Sequence, residues 1–189
     1  IVGFSLGGLV TLKYLGEQGR DLPAIVKAGM AVGTPCDVAN SCQQIQRRRN
    51  FIYLARFLST LRSKAVEKKK RFPEAPYTVA QVRRVWNFTQ YDNLITAPVH
   101  GYKDADHYYS DASSHQYIPS IQVPVLLLNA QNDPFLTEGC YPIDLAKDHP
   151  YVHLEMPRFG GHVGFSRHNW LMGEFYSEMR ARQFFGEVV

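Results

Sequence analysis

Ile1-Val2-Gly3-Phe4-Ser5-Leu6-Gly7-Gly8 opens the chain, and Gly3, Ser5 and Gly7 within it have the G-x-S-x-G spacing of a serine nucleophile held on a sharp strand-to-helix turn. Such a turn strains the serine backbone and leaves little room two residues to either side, a demand that Gly3 and Gly7 meet. Gly8 lets the following helix sit close to a sheet. Because glycine and serine are common, the pentapeptide by itself also fits an ordinary loop, and its flanks carry the argument. Ile1-Val2 reads as the end of a buried strand, and Leu9 to Leu15 places apolar residues at helical spacing. Ser5 is therefore the candidate nucleophile, with the backbone N–H of Leu6 as a candidate oxyanion donor.

Downstream, Gly16 to Asp21 has the composition of a helix end and turn, and Ala24 to Val32 reads as the next buried strand, closed by Gly33-Thr34-Pro35. Strand, helix and strand in this spacing form a βαβ unit, so the sheet is expected to be parallel. Ile121 to Ala130 is a near-continuous apolar run suited to a strand buried on both faces. After a short helix near Ile143 to Lys147, Tyr151 to Met156 alternates like a more exposed last strand. The closing segment from Asn169 to Phe185 sets Trp170, Leu171, Phe175, Met179 and Phe184 on one helical face, expected to pack against the sheet.

Between these parts the pattern changes. Phe51, Leu54, Ala55, Leu58 and Leu61 share a helical face, and Thr78-Val79-Ala80-Gln81 is a capping box for a helix striped by Val79, Val82, Val85 and Trp86. The expected organisation is the start of an α/β core at 1–35, a helical cap or insertion at 36–118, and the remaining core at 119–189. From His100 to His115 three histidines, His100, His107 and His115, mix with three aspartates, but the spacings match no familiar ligand motif and no metal site is assigned.

Two further residues stand where a parallel sheet collects reactive groups. Asp133 follows the strand that ends near Ala130, and His162 lies in the glycine-rich loop Gly160-Gly161-His162-Val163-Gly164 after the last strand. Asp144 and Asp148 come later than a strand end, His153 falls inside a strand, and the other histidines named above lie in the insertion. Ser5, Asp133 and His162 occur in the order nucleophile, acid, histidine, which is the order found in α/β-hydrolases. In such a triad the imidazole takes the serine proton and the aspartate orients the ring.

Composition sets the outer bounds. With 45% hydrophobic and 20% charged residues in 189, the chain is that of an ordinary globular domain, and no apolar run is long enough to span a bilayer. A net charge of +4 gives no case for nucleic acid. The basic clusters Arg47-Arg48-Arg49 and Lys68-Lys69-Lys70-Arg71 are read first as solvated helix faces, with an anionic membrane surface or an acidic partner as the alternative. Three cysteines, Cys36, Cys42 and Cys140, form no disulfide or metal pattern and fit a reducing, cytoplasmic compartment.

Several segments together resemble the YheT-like branch of the α/β-hydrolases: Gly3 to Gly8, Tyr91-Asp92 with Leu94 to Gly101, Tyr108-Tyr109, Asn132-Asp133-Pro134-Phe135 and Gly160 to Phe165. The resemblance implies a mostly parallel sheet flanked by helices, and a serine esterase, lipase or acyltransferase acting on small-molecule or lipid esters. It also implies Ser5, Asp133 and His162 as the triad and no metal or other cofactor. Because that family places its early strands and its second oxyanion donor before the nucleophile, this chain is expected to be the C-terminal portion of a longer protein and a weak catalyst alone. A hydrolase-like module that binds without catalysis is the competing expectation.

Overall fold

In a parallel sheet covered on both sides, successive residues of each strand point to opposite layers, so both sets must be apolar. A computed structural model of the chain describes residues 1–166, 173 and 175–188. The chain runs through β1 (Val2–Phe4), α1 (Leu6–Gln18) and β2 (Gly29–Val32). Six α-helices follow among the described residues: α2 (Val38–Ile45), α3 (Phe51–Arg71), α4 (Val79–Arg83), α5 (Phe88–Tyr91), α6 (Ala97–His100) and α7 (Ala105–Ala112), with a π-helical turn at Asp92–Thr96 between α5 and α6. It closes with β3 (Val125–Leu128), α8 (Ile143–Lys147), β4 (Val152–Glu155) and α9 (Tyr176–Val188). The strands form one sheet in the order β1-β2-β3-β4, with all pairs parallel and Val2 opposite Met30, Met30 opposite Leu126, and Leu126 opposite His153.

The chain divides into two compact units, one of Ile1–Asp37 with Ala112–Val189 and one of Val38–Asp111. In the sheet unit, Ala31, Val125, Leu127 and Val152 face one layer with Leu12 and Leu15 of α1 and Ala146 of α8. Met30, Val32, Leu126 and Leu128 face the other with Phe165 and Phe184, the latter from α9. Ile118 and Ile121 also belong to the first of these clusters, so the helical unit ends before them. In the helical unit, Leu58 and Ala65 of α3 bury against Tyr77, Val82, Val85, Tyr91 and Ile95. The Thr78 capping box forms as the sequence demands: Thr78 Oγ1 accepts from Gln81 N–H at 3.2 Å, and Gln81 Oε1 accepts from Thr78 N–H at 2.8 Å.

Some expected boundaries shift, for local reasons. The second strand begins at Gly29 instead of Ala24, because the neighbouring strand starts only after Pro124, which lacks a ladder donor; Ile25 is left exposed. Trp86 and Phe51, placed on buried helix stripes by their spacing, are solvent-exposed, since the buried stripes narrow to Val82 with Val85 and to Leu58 with its neighbours. The last helix starts at Tyr176; Phe184 packs on the sheet as expected, Phe175 is exposed, and Trp170 and Leu171 lie outside the described residues.

Asn129, the residue after β3, is fully buried and clasps the end of β2: its Oδ1 accepts from Thr34 N–H at 2.7 Å and its Nδ2 donates to Thr34 O at 2.9 Å. Asn129→Leu leaves a buried N–H and a buried carbonyl without partners, and is expected to cost about 2–5 kcal/mol. Urea unfolding measures it; an unchanged midpoint and slope would mean that the strand ends hold without the clasp.

Candidate active site

Parallel strands deliver all their C-terminal ends to one edge, so the loops after β1, β2, β3 and β4 are neighbours although they are far apart in sequence. Ser5 sits between β1 and α1 with φ 52° and ψ −122°, a positive φ that a non-glycine residue adopts only at a cost of order 1–3 kcal/mol. The backbone around it is fastened: Ser5 N–H donates to Val32 O at 2.8 Å, and Ser5 O accepts from Gly8 N–H at 3.0 Å. A Cβ on Gly3 would lie 2.3 Å from Gly7 O, and one on Gly8 would lie 1.9 Å from Thr34 Oγ1, so neither position tolerates a side chain. Gly7 differs from the expectation. A Cβ there meets nothing within 4 Å, and what matters at Gly7 is the approach of its carbonyl to Gly3.

The histidine loop reaches this turn from the other end of the chain. His162 Nε2 lies 2.8 Å from Ser5 Oγ, and His162 Nδ1 lies 2.7 Å from Asp133 Oδ2. A carboxylate can only accept, so the proton between His162 and Asp133 belongs to Nδ1; Nε2 is then an acceptor and the Ser5 hydroxyl donates to it. Asp133 has no exposed side-chain surface, and its second oxygen, Oδ1, accepts from Phe135 N–H at 2.8 Å. Both carboxylate oxygens are thus engaged, which fixes the plane of the group and the ring it holds. The Phe135 ring lies against His162, with centroids 4.6 Å apart, and limits where the imidazole can swing.

Three supports were not legible from residue spacing. Asn132 Oδ1 accepts from Gly160 N–H and Gly161 N–H, at 3.0 and 2.9 Å, pinning the histidine loop beside the aspartate that orients the ring. Gly33, with φ 60°, comes so close that a Cβ would stand 2.2 Å from His162 O. Tyr141 donates its hydroxyl to Ala130 O at 2.9 Å, and burial, with Asp133 beside it, pushes that phenol up to about 12, so it remains a donor. An asparagine before an aspartate signals a local turn in any sequence; that it bridges 28 residues to a glycine pair is a tertiary fact.

The other candidates stand apart. His153 lies in β4 with its ring near Phe184, Asp144 lies in α8, and among the described residues no group of three His, Cys, Asp or Glu side chains could hold a metal. His107, Asp104 and Asp111 of the His100 to His115 stretch are engaged locally, the first two with each other's neighbourhood and Asp111 with the Tyr102 hydroxyl at 2.7 Å. Cys36 is a poor nucleophile, since burial pushes its thiol up to about 12.

The short contact between His162 Nδ1 and Asp133 should give a far-downfield proton resonance, as charge-assisted bonds do. Asn132→Ala is expected to broaden or remove that signal, and Asn132→Asp, which keeps an acceptor for both glycine amides, to retain it. An unchanged spectrum in Asn132→Ala would mean that the loop stands without this bridge.

The family described as alpha/beta hydrolase fold matches residues 1–168. The chain is 31% identical to phospholipase ABHD3 of Mus musculus over 187 residues, covering 99% of this chain and 45% of that protein. It is 32% identical to the putative esterase YheT of Escherichia coli (strain K12), covering 95% and 52%, and 34% identical to a monoacylglycerol lipase of Saccharomyces cerevisiae, covering 87% and 37%. The chain spans about half the length of the curated relatives it matches. Among solved structures, an alpha/beta fold family hydrolase from Bacillus anthracis str. Sterne superposes with a TM-score of 0.53 at 12% identity, covering 100% of this chain and 66% of that one. A parallel sheet between helical layers, the sequence match over most of its length and the shared fold make this chain a member of the α/β-hydrolase family, of the YheT-like kind.

Proposed function

We propose that this chain carries the Ser5–His162–Asp133 triad of a serine hydrolase that cleaves carboxylic esters. The observation that carries the reading is the strained Ser5 backbone joined to a ready hydrogen-bond chain: a hydroxyl held at φ 52° and donating to an imidazole that a buried carboxylate orients. Backbone strain is retained where the surroundings over-determine it, and a nucleophile turn gives it a purpose.

In this mechanism Ser5 Oγ attacks the acyl carbon while its proton passes to His162 Nε2. Asp133 holds the ring and stabilises its charged form. The carbonyl oxygen becomes an oxyanion that the Leu6 N–H can meet: Leu6 is the first residue of α1, where amide protons have no partner within the helix and the helix dipole favours negative charge. Collapse breaks the bond to the alcohol, which leaves with the proton from His162. Water, deprotonated by the same ring, then releases the acid and restores Ser5. Lipid esters are the substrate class proposed, because relatives from several organisms are named phospholipase or monoacylglycerol lipase. The helical unit 38–111, which interrupts the sheet unit between β2 and β3, is read as an inserted cap. Transfer of the acyl group to an alcohol instead of water uses the same acyl-enzyme, and added ethanol separates the two acceptors by product.

The test is ester turnover by the polypeptide that carries this sequence, on p-nitrophenyl esters and on a monoacylglycerol. Ser5→Ala and His162→Ala are each expected to lower kcat by at least about a thousandfold, and the double variant to fall little further, because the groups act as a unit. Activity that survives Ser5→Ala would sink the proposal.

A further inference from the structure

The charge of this chain is unevenly spread. Between residues 47 and 86 there are twelve Lys and Arg against two Glu, a net +10, while the rest of the chain has nine Lys and Arg against fifteen Asp and Glu, a net −6. Ten of the twelve cations are solvent-exposed, and Glu67 engages Arg71. This segment lies wholly in the helical unit.

Charge alone would describe a solvated face. The helix that carries it is unusual in a second way: its buried face is supplied by Leu58 and Ala65 with Leu54 and Leu61 packed beside them, yet its first two turns also point large apolar side chains outward. Phe51 is 65% exposed and Ile52 67%, Tyr53 and Phe57 are also exposed, and Trp86 of the same unit is 72% exposed. Helical turns that present large apolar side chains outward as well as inward call for a cover on their outer side. Arg47, Arg48 and Arg49 immediately precede these residues and Arg56 lies among them, all exposed. Aromatic and aliphatic side chains flanked by arginines match the boundary of an anionic bilayer, where the rings enter the headgroup layer and the guanidinium groups meet phosphate. Nucleic acid would satisfy the charge but gives no use to Ile52. Among the described residues no helix is long and apolar enough to cross a membrane, so the contact would be peripheral.

We propose that the start of α3, from Arg47 through Phe57, docks the protein on an anionic phospholipid surface, with Phe51, Ile52 and Tyr53 inserted and Arg47, Arg48, Arg49 and Arg56 at the headgroups. The surface is independent of the triad, so Ser5→Ala leaves it intact.

The experiment is co-sedimentation of the polypeptide with vesicles of phosphatidylcholine alone and with roughly one-third phosphatidylserine. Binding to the anionic vesicles only is expected, weakened at high salt, reduced at least about tenfold by the triple variant Arg47→Glu, Arg48→Glu, Arg49→Glu, and reduced several-fold by Phe51→Ser with Ile52→Ser. These side chains are exposed, so the variants should keep the parent melting profile, and the triple variant has the alternative Arg→Gln form should reversal disturb folding. No sedimentation with anionic vesicles overturns the proposal. So does vesicle binding indifferent to Phe51→Ser with Ile52→Ser and matched by equal binding to duplex RNA, which would mark a plain polyanion site; so does a salt-stable dimer that these apolar substitutions dissociate and that does not bind vesicles.

Discussion

The hydrogen bond between Ser5 and His162 Nε2 joins side chains 157 positions apart in sequence, and most of the sheet unit can be understood as what is needed to make it. A bond of 2.8 Å tolerates little drift at either end. At the serine end, the turn is held by bonds to Val32 and Gly8 and by the absence of side chains on Gly3 and Gly8. At the histidine end, Asp133 fixes the ring, Asn132 fixes the loop and Phe135 covers the ring face. Between the two ends, Asn129 fastens the loop after β2 to the end of β3. The core supplies the rigid base: Leu126, Leu127 and Leu128 are fully buried, alternating between the two helical layers.

How much of this could be read from the residues follows from the range of the forces. The strand–turn–helix at Ser5, the capping box at Thr78, the short helix at Ile143 to Lys147 and the parallel pairing were legible because each rests on local periodicity or local side-chain chemistry. Asp133 and His162 were legible as loop residues just beyond strand ends. The starts of β2 and β3 were not, since a strand exists only where its neighbour offers a ladder, and Pro124 sets that limit from another part of the chain. Asn129 and Asn132 were missed for the same reason: an asparagine in a loop has many uses, and only the fold shows which amides it meets.

The two units divide the chemistry of the chain between them. The sheet unit is close-packed, with its polar groups drawn into a few buried bonds at the strand ends. The helical unit holds a part-buried polar cluster in which Asp92 accepts from the Thr96 and Tyr109 hydroxyls at 2.5 and 2.7 Å, and burial, partly offset by these bonds, raises its carboxyl above the usual range. Its outer surface is cationic and, at the start of α3, apolar. Spacing alone put Phe51 and Trp86 on buried stripes; their exposure is what sets the run of arginines beside Phe51 apart from an ordinary solvated face.

The central claim is that Ser5 is an activated nucleophile, and labelling with a fluorophosphonate tests it without reference to any substrate. Reaction of the polypeptide that carries this sequence, followed by peptide mass mapping, is predicted to place one phosphonyl group at Ser5, on the peptide that ends at Lys13, with labelling lost in Ser5→Ala and slowed in His162→Ala. A folded protein that takes up no probe, or takes it up at another residue, would contradict the account.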